Sequence, residues 1–242
     1  MVDGALEALD DLDWVVVDVE TTGFLPEDAT IIEIGAVRLS GARVTGEFFS
    51  LVNPAAPIPA AITELTGIND AMVSQAPPAA SALRAFLAFA GGCVLAAHNA
   101  PFDLGFLTSG CRSAGVAWPP AAVLDTAVLA RLLLRPDQVP DCKLATLAEF
   151  FATRVAPCHR ALADAQATAD VLLGLLAVAA ARGPGQPRGP ERPGRPEQRL
   201  TTPAGRVSAD GGGARPPLYA TGAAGARVPG RPRRRPWSPL SS

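Results

Sequence analysis

Two carboxylates near the amino terminus, Asp18 and Glu20, close an apolar run that starts at Trp14. Side chains two residues apart in a strand project from the same face, which places this pair roughly 6–7 Å apart at the backbone. Their repulsion is about 2–3 kcal/mol at an effective dielectric constant near 20, and a cation between them removes this cost. The pair therefore indicates a divalent cation site, or else a strand end that is open to solvent. The next residues, Thr21 and Thr22, predict a turn whose hydroxyls and amides bind a phosphate or a sugar hydroxyl.

A third acid, Asp103, ends the segment His98-Asn99-Ala100-Pro101-Phe102-Asp103. Pro101 predicts a helix start, because a proline in the first turn loses no intrahelical hydrogen bond. Asp103 then lies beside the carboxyl end of the predicted strand 94–97, the usual ligand-binding edge of an open α/β sheet. The helix dipole also favours an acid in a first turn, so a purely structural role stays open.

His159 and Asp164 are five residues apart, and one continuous helix would point them some 140° apart. They converge only if His159 precedes the helix and Asp164 lies inside it. The apolar stripe of this helix is predicted to face the core with Asp164 off it. The stripe consists of Leu162, Ala165, Ala169, Leu172, Leu173 and Leu176.

Together these residues predict one site. Four carboxylates without a soft ligand suit Mg²⁺ or Mn²⁺ better than zinc. Two such ions about 3.5–4 Å apart form the clamp used for phosphodiester cleavage. Histidine titrates near neutral pH, so His159 is the candidate general base.

The elements that must position these residues alternate between extended and helical segments. A meander of strands followed by β-α-β-α units predicts an α/β fold with a mixed sheet. Predicted strands are 14–19, 31–39, 47–52, 94–97 and 123–125, with a hairpin turn at 40–42. Predicted helices are 60–65, 79–89, 101–114, 126–134, 144–151 and 160–182.

Composition changes abruptly near Gly183, where Pro, Gly and Arg begin to dominate. Residues 1–182 carry a net charge of −10 and residues 183–242 a net charge of +8. We predict an extension over 1–12, the folded domain over 13–182 and a disordered basic tail over 183–242. The tail either adds unspecific phosphate affinity, has no role, or is an out-of-frame product of GC-rich DNA.

The bulk composition indicates a soluble cytoplasmic protein rather than a membrane protein. The longest apolar run, 171–181, is shorter than the 20 or so residues that span a bilayer, and the acidic start lacks a signal peptide's basic region. No two of the four cysteines have C-x-x-C spacing, so we expect reduced, partly buried thiols.

The segments Asp18-Val-Glu20-Thr-Thr-Gly, His98-Asn99-x-x-x-Asp103 and His159-x-x-x-x-Asp164 resemble the three motifs of the DEDDh (DnaQ-like) exonucleases. That family includes the proofreading epsilon subunit of bacterial DNA polymerase III. The resemblance covers about residues 13–180. It implies an RNase H-like fold, two Mg²⁺ or Mn²⁺ ions, and release of nucleoside 5′-monophosphates from a 3′ end.

By motif position, the resemblance makes Asp18, Glu20, Asp103 and Asp164 metal ligands and His159 the base. It also implies that Leu65 wedges against the terminal nucleotide, next to Thr66, and that Asn99 and Phe102 line the same groove. From the sequence alone, a leucine in so short a segment is equally explained as a plain core residue. Asp125, which matches an acid common in relatives, is interpreted as a helix cap.

Three functions compete. The leading one is a 3′→5′ exonuclease acting on DNA ends in proofreading or repair, with replication or repair proteins as partners. The second is an exoribonuclease that trims RNA 3′ ends, because the same acids serve both substrates and only contacts to the 2′-OH distinguish them. The third is a catalytically inactive nucleic-acid-binding module, which has no need of mutually repelling carboxylates.

Some relatives continue into a GIY-YIG nuclease domain, whereas here the basic tail follows, without a recognisable polymerase-binding motif.

Overall fold

A computed structural model of the chain describes residues 12–119 and 121–182. The expectations for the first eleven residues and for the basic segment 183–242 lie outside the described residues. The described chain forms one mixed sheet of five strands in the order β3-β2-β1-β4-β5. The strands are β1 (Asp13–Thr21), β2 (Ile31–Ser40), β3 (Arg43–Leu51), β4 (Val94–Ala97) and β5 (Val123–Asp125).

The pairing confirms the predicted mixed sheet. β1 to β3 form an antiparallel meander, whereas β1, β4 and β5 run parallel. The helices are α1 (Ala60–Thr66), α2 (Asp70–Val73), α3 (Ala79–Ala90), α4 (Pro101–Ser113), α5 (Thr126–Leu133), α6 (Leu144–Phe150) and α7 (Ala161–Arg182).

Two elements differ from the sequence prediction. β3 begins at Arg43 rather than at residue 47, because Gly41 at φ 55° makes a tight turn and Ser40 pairs directly with Arg43. The one-turn helix α2 was not predicted. Asn69 starts it by accepting a hydrogen bond from the Met72 N–H at 3.1 Å, and four residues give too little periodicity to recognise.

The two faces of β1 are both buried, as its continuous apolar sequence predicts. Val15, Val17 and Val19 face one way, toward Phe86 of α3 and Phe106 of α4. On the opposite face, Trp14 and Val16 pack against α7. Each of these burials stabilises the fold by about 1.5–3 kcal/mol relative to exposure.

Helix α7 is buried on two sides, not only on the predicted stripe. Its stripe packs on the sheet, and Val171 and Leu175 pack against α5 and α6. By length and hydropathy α7 could cross a membrane, but 56% of the qualifying window is buried inside the protein. The apolar character of α7 is therefore explained by its position in the core.

Candidate active site

A cleft of about 230 Å³ opens at the edge of the sheet where β1 ends. Its walls come from the end of β1, from α1, and from the starts of α4 and α7. The five predicted catalytic residues all line this cleft: Asp18, Glu20, Asp103, His159 and Asp164. Residues up to 146 positions apart in the chain, Asp18 and Asp164, thus share one cavity.

Asp18 and Glu20 project from the same face of β1, as the strand period requires. In the β1–β2 ladder Asp18 lies opposite Gly35 and Glu20 opposite Glu33. The register shifts between Glu20 and Thr21, so the strand becomes irregular directly after the pair. This irregularity ends the regular pairing where the cleft opens.

Asp103 lies in the first turn of α4 and is only 3% exposed. Its Oδ1 accepts a hydrogen bond from the Val19 N–H at 3.0 Å. The side chain is therefore directed at the backbone between Asp18 and Glu20. A role confined to its own helix dipole does not account for this contact.

His159 precedes α7 and Asp164 lies in its first turn, which is the arrangement that the spacing requires. His159 is exposed and adopts φ 57°, in the left-handed region that few non-glycine residues occupy. The Asp164 Oδ1 accepts a hydrogen bond from the Cys158 N–H at 2.7 Å. Potential ligand atoms of Glu20, His159 and Asp164 lie within 4.8 Å of one another.

The carboxylates are electrostatically strained. Burial raises the pKa of Asp18 well above its ordinary value, and the neighbouring carboxylates of Asp103, Asp164 and Glu20 raise it further. Burial and the Asp164 charge raise the pKa of Glu20 to about 7. Burial also raises the pKa of Asp103 to about 8, despite the hydrogen bond from Val19.

Burial likewise raises the pKa of Asp164, although the Cys158 N–H and His159 act in the opposite direction. A bound cation would favour the ionised form of all four acids. The four carboxylates offer hard oxygen donors, the ligands that Mg²⁺ and Mn²⁺ prefer, so they could hold such an ion.

Most of the predicted substrate-binding residues lie at the same cleft. Leu65 is 44% exposed at its rim, which a plain core residue would not be. Thr66 is buried there, and its hydroxyl donates to the Ile62 carbonyl and accepts from the Ile68 N–H. Asn99, Phe102 and Thr21 also line the cleft.

Thr22 lies apart from the cleft. Its Oγ1 accepts a hydrogen bond from the Thr30 N–H at 3.0 Å, and its own N–H donates to the Thr30 carbonyl at 2.9 Å. Thr22 therefore closes the loop between β1 and β2, and the structure does not place its hydroxyl with the other candidate residues.

The interpretation of Asp125 as a cap is confirmed. Its Oδ1 accepts hydrogen bonds from Ala127 N–H at 2.8 Å and Val128 N–H at 3.3 Å, at the start of α5. The same oxygen accepts the Asn99 N–H at 3.1 Å, which ties α5 to the cleft.

Sequence reasoning assigned no role to three residues near the site. Phe24 is 75% exposed and lines the cleft, and an aromatic directly after the Thr-Thr-Gly turn was the available signal. The Nδ1 atom of His98 lies 2.9 Å from the Oγ1 atom of Thr126. Burial lowers the pKa of His98, which favours the neutral ring, and this ring links β4 to α5. Glu33 is wholly buried beside the acids, and an acid within the apolar run of β2 should have drawn attention.

Comparison with known proteins agrees with this geometry. The family model RNase_T, described as "Exonuclease", matches residues 15–172. The "Putative bifunctional exonuclease/endonuclease protein MT2247" of Mycobacterium tuberculosis is 50% identical over 170 residues, covering 67% of this chain and 26% of that protein. The PolC-type DNA polymerase III of Caldanaerobacter subterraneus is 43% identical over 176 residues, covering 73% of this chain and 12% of the polymerase.

The chain thus corresponds to a minor part of each of these two relatives. Among solved structures, exonuclease X in complex with 5′-overhanging duplex DNA aligns with a TM-score of 0.56 and 24% identity, covering 69% of this chain and 93% of that one. This likeness confirms the predicted RNase H-like fold. The chain belongs to the RNase_T exonuclease family, among the DnaQ-like exonucleases related to DNA polymerase III.

Proposed function

We propose that this exonuclease is a metal-dependent 3′→5′ enzyme of the DEDDh type that removes nucleoside 5′-monophosphates from DNA ends in proofreading or repair. The observation that carries the proposal is the gathering of four carboxylates and His159 in one cleft. Raised carboxyl pKa values mean that the folded chain without a cation tolerates this cluster poorly. A site built at such a cost is expected to have a function.

Asp18, Glu20, Asp103 and Asp164 would hold two Mg²⁺ or Mn²⁺ ions. When bound, these ions supply activation of the attacking water and stabilisation of the leaving oxygen. Asp103 is oriented by the Val19 N–H and Asp164 by the Cys158 N–H, so each carboxylate keeps further oxygen lone pairs for a ligand.

His159 would accept the proton of the attacking water at an imidazole nitrogen. Its ring is exposed to the cleft and lies next to Glu20 and Asp164. A general base must lie this close to the site at which the attacking water is held.

The apolar groups at the rim would position the terminal nucleotide. Leu65 and Phe24 expose 44% and 75% of their surfaces beside the acids. Exposed aromatic and aliphatic side chains hold nucleobases by stacking and contact without regard to sequence. This surface supports binding of a strand end rather than reading of a sequence.

DNA is proposed as the substrate because the PolC-type relative is by name a DNA polymerase III. Replication or repair proteins are the proposed partners, and the cytoplasm is the proposed location. RNA trimming uses the same acids, so it is the alternative outcome of the assay.

The test is hydrolysis by the purified chain of matched DNA and RNA oligomers with Mg²⁺, with Mn²⁺ or with EDTA. Each substrate is labelled at its 5′ end and carries either a free or a blocked 3′ end. We expect a ladder shortened from the free 3′ end, faster on DNA, and abolished by EDTA and by Asp164→Asn. Equal cleavage of the blocked substrate would overturn the 3′→5′ direction, and faster cleavage of RNA would overturn the DNA preference.

A further inference from the structure

Glu33 of β2 is a charged residue with no exposed surface, and it lies directly behind the cleft. Its Oε1 accepts hydrogen bonds from Arg160 Nη2 at 2.6 Å and Nε at 3.0 Å. Its Oε2 accepts the Ala161 N–H at 2.7 Å. A buried carboxylate is stable only when both of its oxygens are paired. Breaking the contact to Arg160 or Ala161 would therefore cost free energy of folding.

The contact is made at the junction between the cleft loop and α7. Arg160 immediately follows His159, and Ala161 is the first residue of α7. The Ala161 N–H has no partner within the helix, so Glu33 caps α7 from a distant strand. On the other side of His159, the Cys158 N–H is bound by Asp164. His159 is thus fixed from both flanks while its own φ of 57° is unfavourable.

Gly35, two residues after Glu33 on the same face of β2, lets α7 approach this closely. A Cβ atom at Gly35 would overlap the backbone of Ala161 and Leu162. The first turn of α7 therefore packs directly on the strand, and Glu33 accepts a hydrogen bond from the first N–H of the helix. The backbone approach at Gly35 and the hydrogen bond to Glu33 thus fix the start of α7 on β2.

We propose that Glu33 and Arg160 are a positioning pair that holds His159 in place against Glu20 and Asp164 in the cleft. The proposal rests on the proposed function, in which His159 is the base. Neither member of the pair lines the cleft, so both act through the backbone around His159. The guanidinium fork matches the carboxylate with two parallel bonds, which a lysine cannot reproduce.

The chain offers a matched control. Arg154 and Asp170 form a second two-bond ion pair, which also ties the loop before α7 to the helix. Arg154 is 68% exposed, and Asp170 lies more than one turn beyond Asp164. Arg154→Gln therefore removes a second, more exposed ion pair from the same loop without changing the residues next to His159.

The experiment compares the full chain with Glu33→Gln, Arg160→Gln, Arg160→Lys and Arg154→Gln. It measures kcat and KM on a 3′-recessed DNA, Mn²⁺ binding by calorimetry, and imidazole NMR signals. Because the chain has two histidines, the half-buried His98 is an internal reference for His159. We expect Glu33→Gln and Arg160→Gln to lower kcat about 10- to 100-fold while KM and Mn²⁺ affinity stay within about threefold.

The same two variants should shift and broaden the His159 signals and leave those of His98 unchanged. Arg160→Lys should recover part of the lost kcat, and Arg154→Gln should stay within about twofold of the parent. A parent-like kcat with unchanged His159 signals in Glu33→Gln overturns the pairing role. The role is also overturned if Arg154→Gln loses as much kcat as Glu33→Gln does, because the loss would then come from a general loosening of the loop.

Two outcomes remain decisive even when a protein fails. If Arg160→Gln does not fold, Glu33→Gln decides the test, because it leaves no buried charge behind and the partly exposed Arg160 guanidinium can still reach solvent. If the parent chain is inactive, the proposed function fails, and the His159 signals alone then decide whether the pair positions that ring.

Discussion

The Asp103 carboxylate accepts the Val19 N–H at 3.0 Å, although the two residues are 84 positions apart in the chain. This bond pins the start of α4 to the strand segment between Asp18 and Glu20. It also turns the Asp103 carboxylate toward the end of β1, where it becomes the third acid of the proposed site.

Asp18→Asn should abolish turnover and yet stabilise the metal-free protein. Asp18 has a raised pKa because burial and neighbouring carboxylates disfavour its charge, and an amide removes that penalty. We expect a melting temperature at pH 8 in EDTA that is higher by about 2–4 °C, the effect of about 1 kcal/mol in a domain of this size. Thermal unfolding and the oligomer assay measure the two effects, and Asp13→Asn on the exposed start of β1 is the control. A variant with parental turnover would contradict the proposed ligand role.

The metal-free protein should lose stability as pH rises from about 5 to 9. The pKa of Glu20 is raised to about 7 and that of Asp103 to about 8, so in this window the folded chain binds more protons than the unfolded chain. The stabilisation that these two protonated acids give the folded chain is complete below the ordinary carboxyl pKa. It is lost as the pH rises through the pKa values that the two acids have in the folded chain. Unfolding temperatures in EDTA across this range test the sign, and added Mg²⁺ should restore stability most at the alkaline end. A flat profile in EDTA would show that the acids are not coupled as the geometry indicates.

His159→Asn should lower the rate about 10²- to 10⁴-fold, the usual contribution of a general base. Asparagine tolerates the left-handed conformation that His159 adopts at φ 57°, so the loop should keep its path. Single-turnover rates, together with an unchanged melting temperature and Mn²⁺ affinity, would separate loss of the base from loss of structure. A decrease of less than about fivefold would mean that another group accepts the proton.

A chain that ends after Arg182 should keep its metal-dependent turnover. The family match ends at residue 172 and α7 ends at Arg182, so the proposed site lies wholly within the retained part. Removing the eleven arginines beyond it should weaken DNA binding at low salt, with the difference vanishing as salt rises. Binding isotherms at several salt concentrations, alongside thermal unfolding, check both points. Failure of the shortened chain to fold would refute the proposed domain boundary.

Much of the fold follows from local sequence. The apolar run before Asp18 identified a strand buried on both faces, and Pro101 marked a helix start that the structure confirms. The start of β3 was placed too late because residues 43–45 are exposed and show no sustained alternation of apolar and polar side chains, and the hairpin geometry at Gly41 decides their pairing. Helix α2 depends on the Asn69 cap rather than on periodicity, so it could not be recognised.

The sequence by itself determined which residues are chemically capable: acids spaced two apart on a strand, an acid after a helix-starting proline, and a histidine five residues before another acid. Their types and spacings are local properties, which short-range backbone geometry translates directly into direction. Only the tertiary structure decided that these residues share one cleft, that Thr22 lies apart from it, and that the pKa values of the acids are raised. It also revealed that Glu33 and Gly35 fix the start of α7. An acid within the apolar run of β2 marks Glu33 as unusual, but its partners lie over a hundred residues away, and no local pattern identifies them.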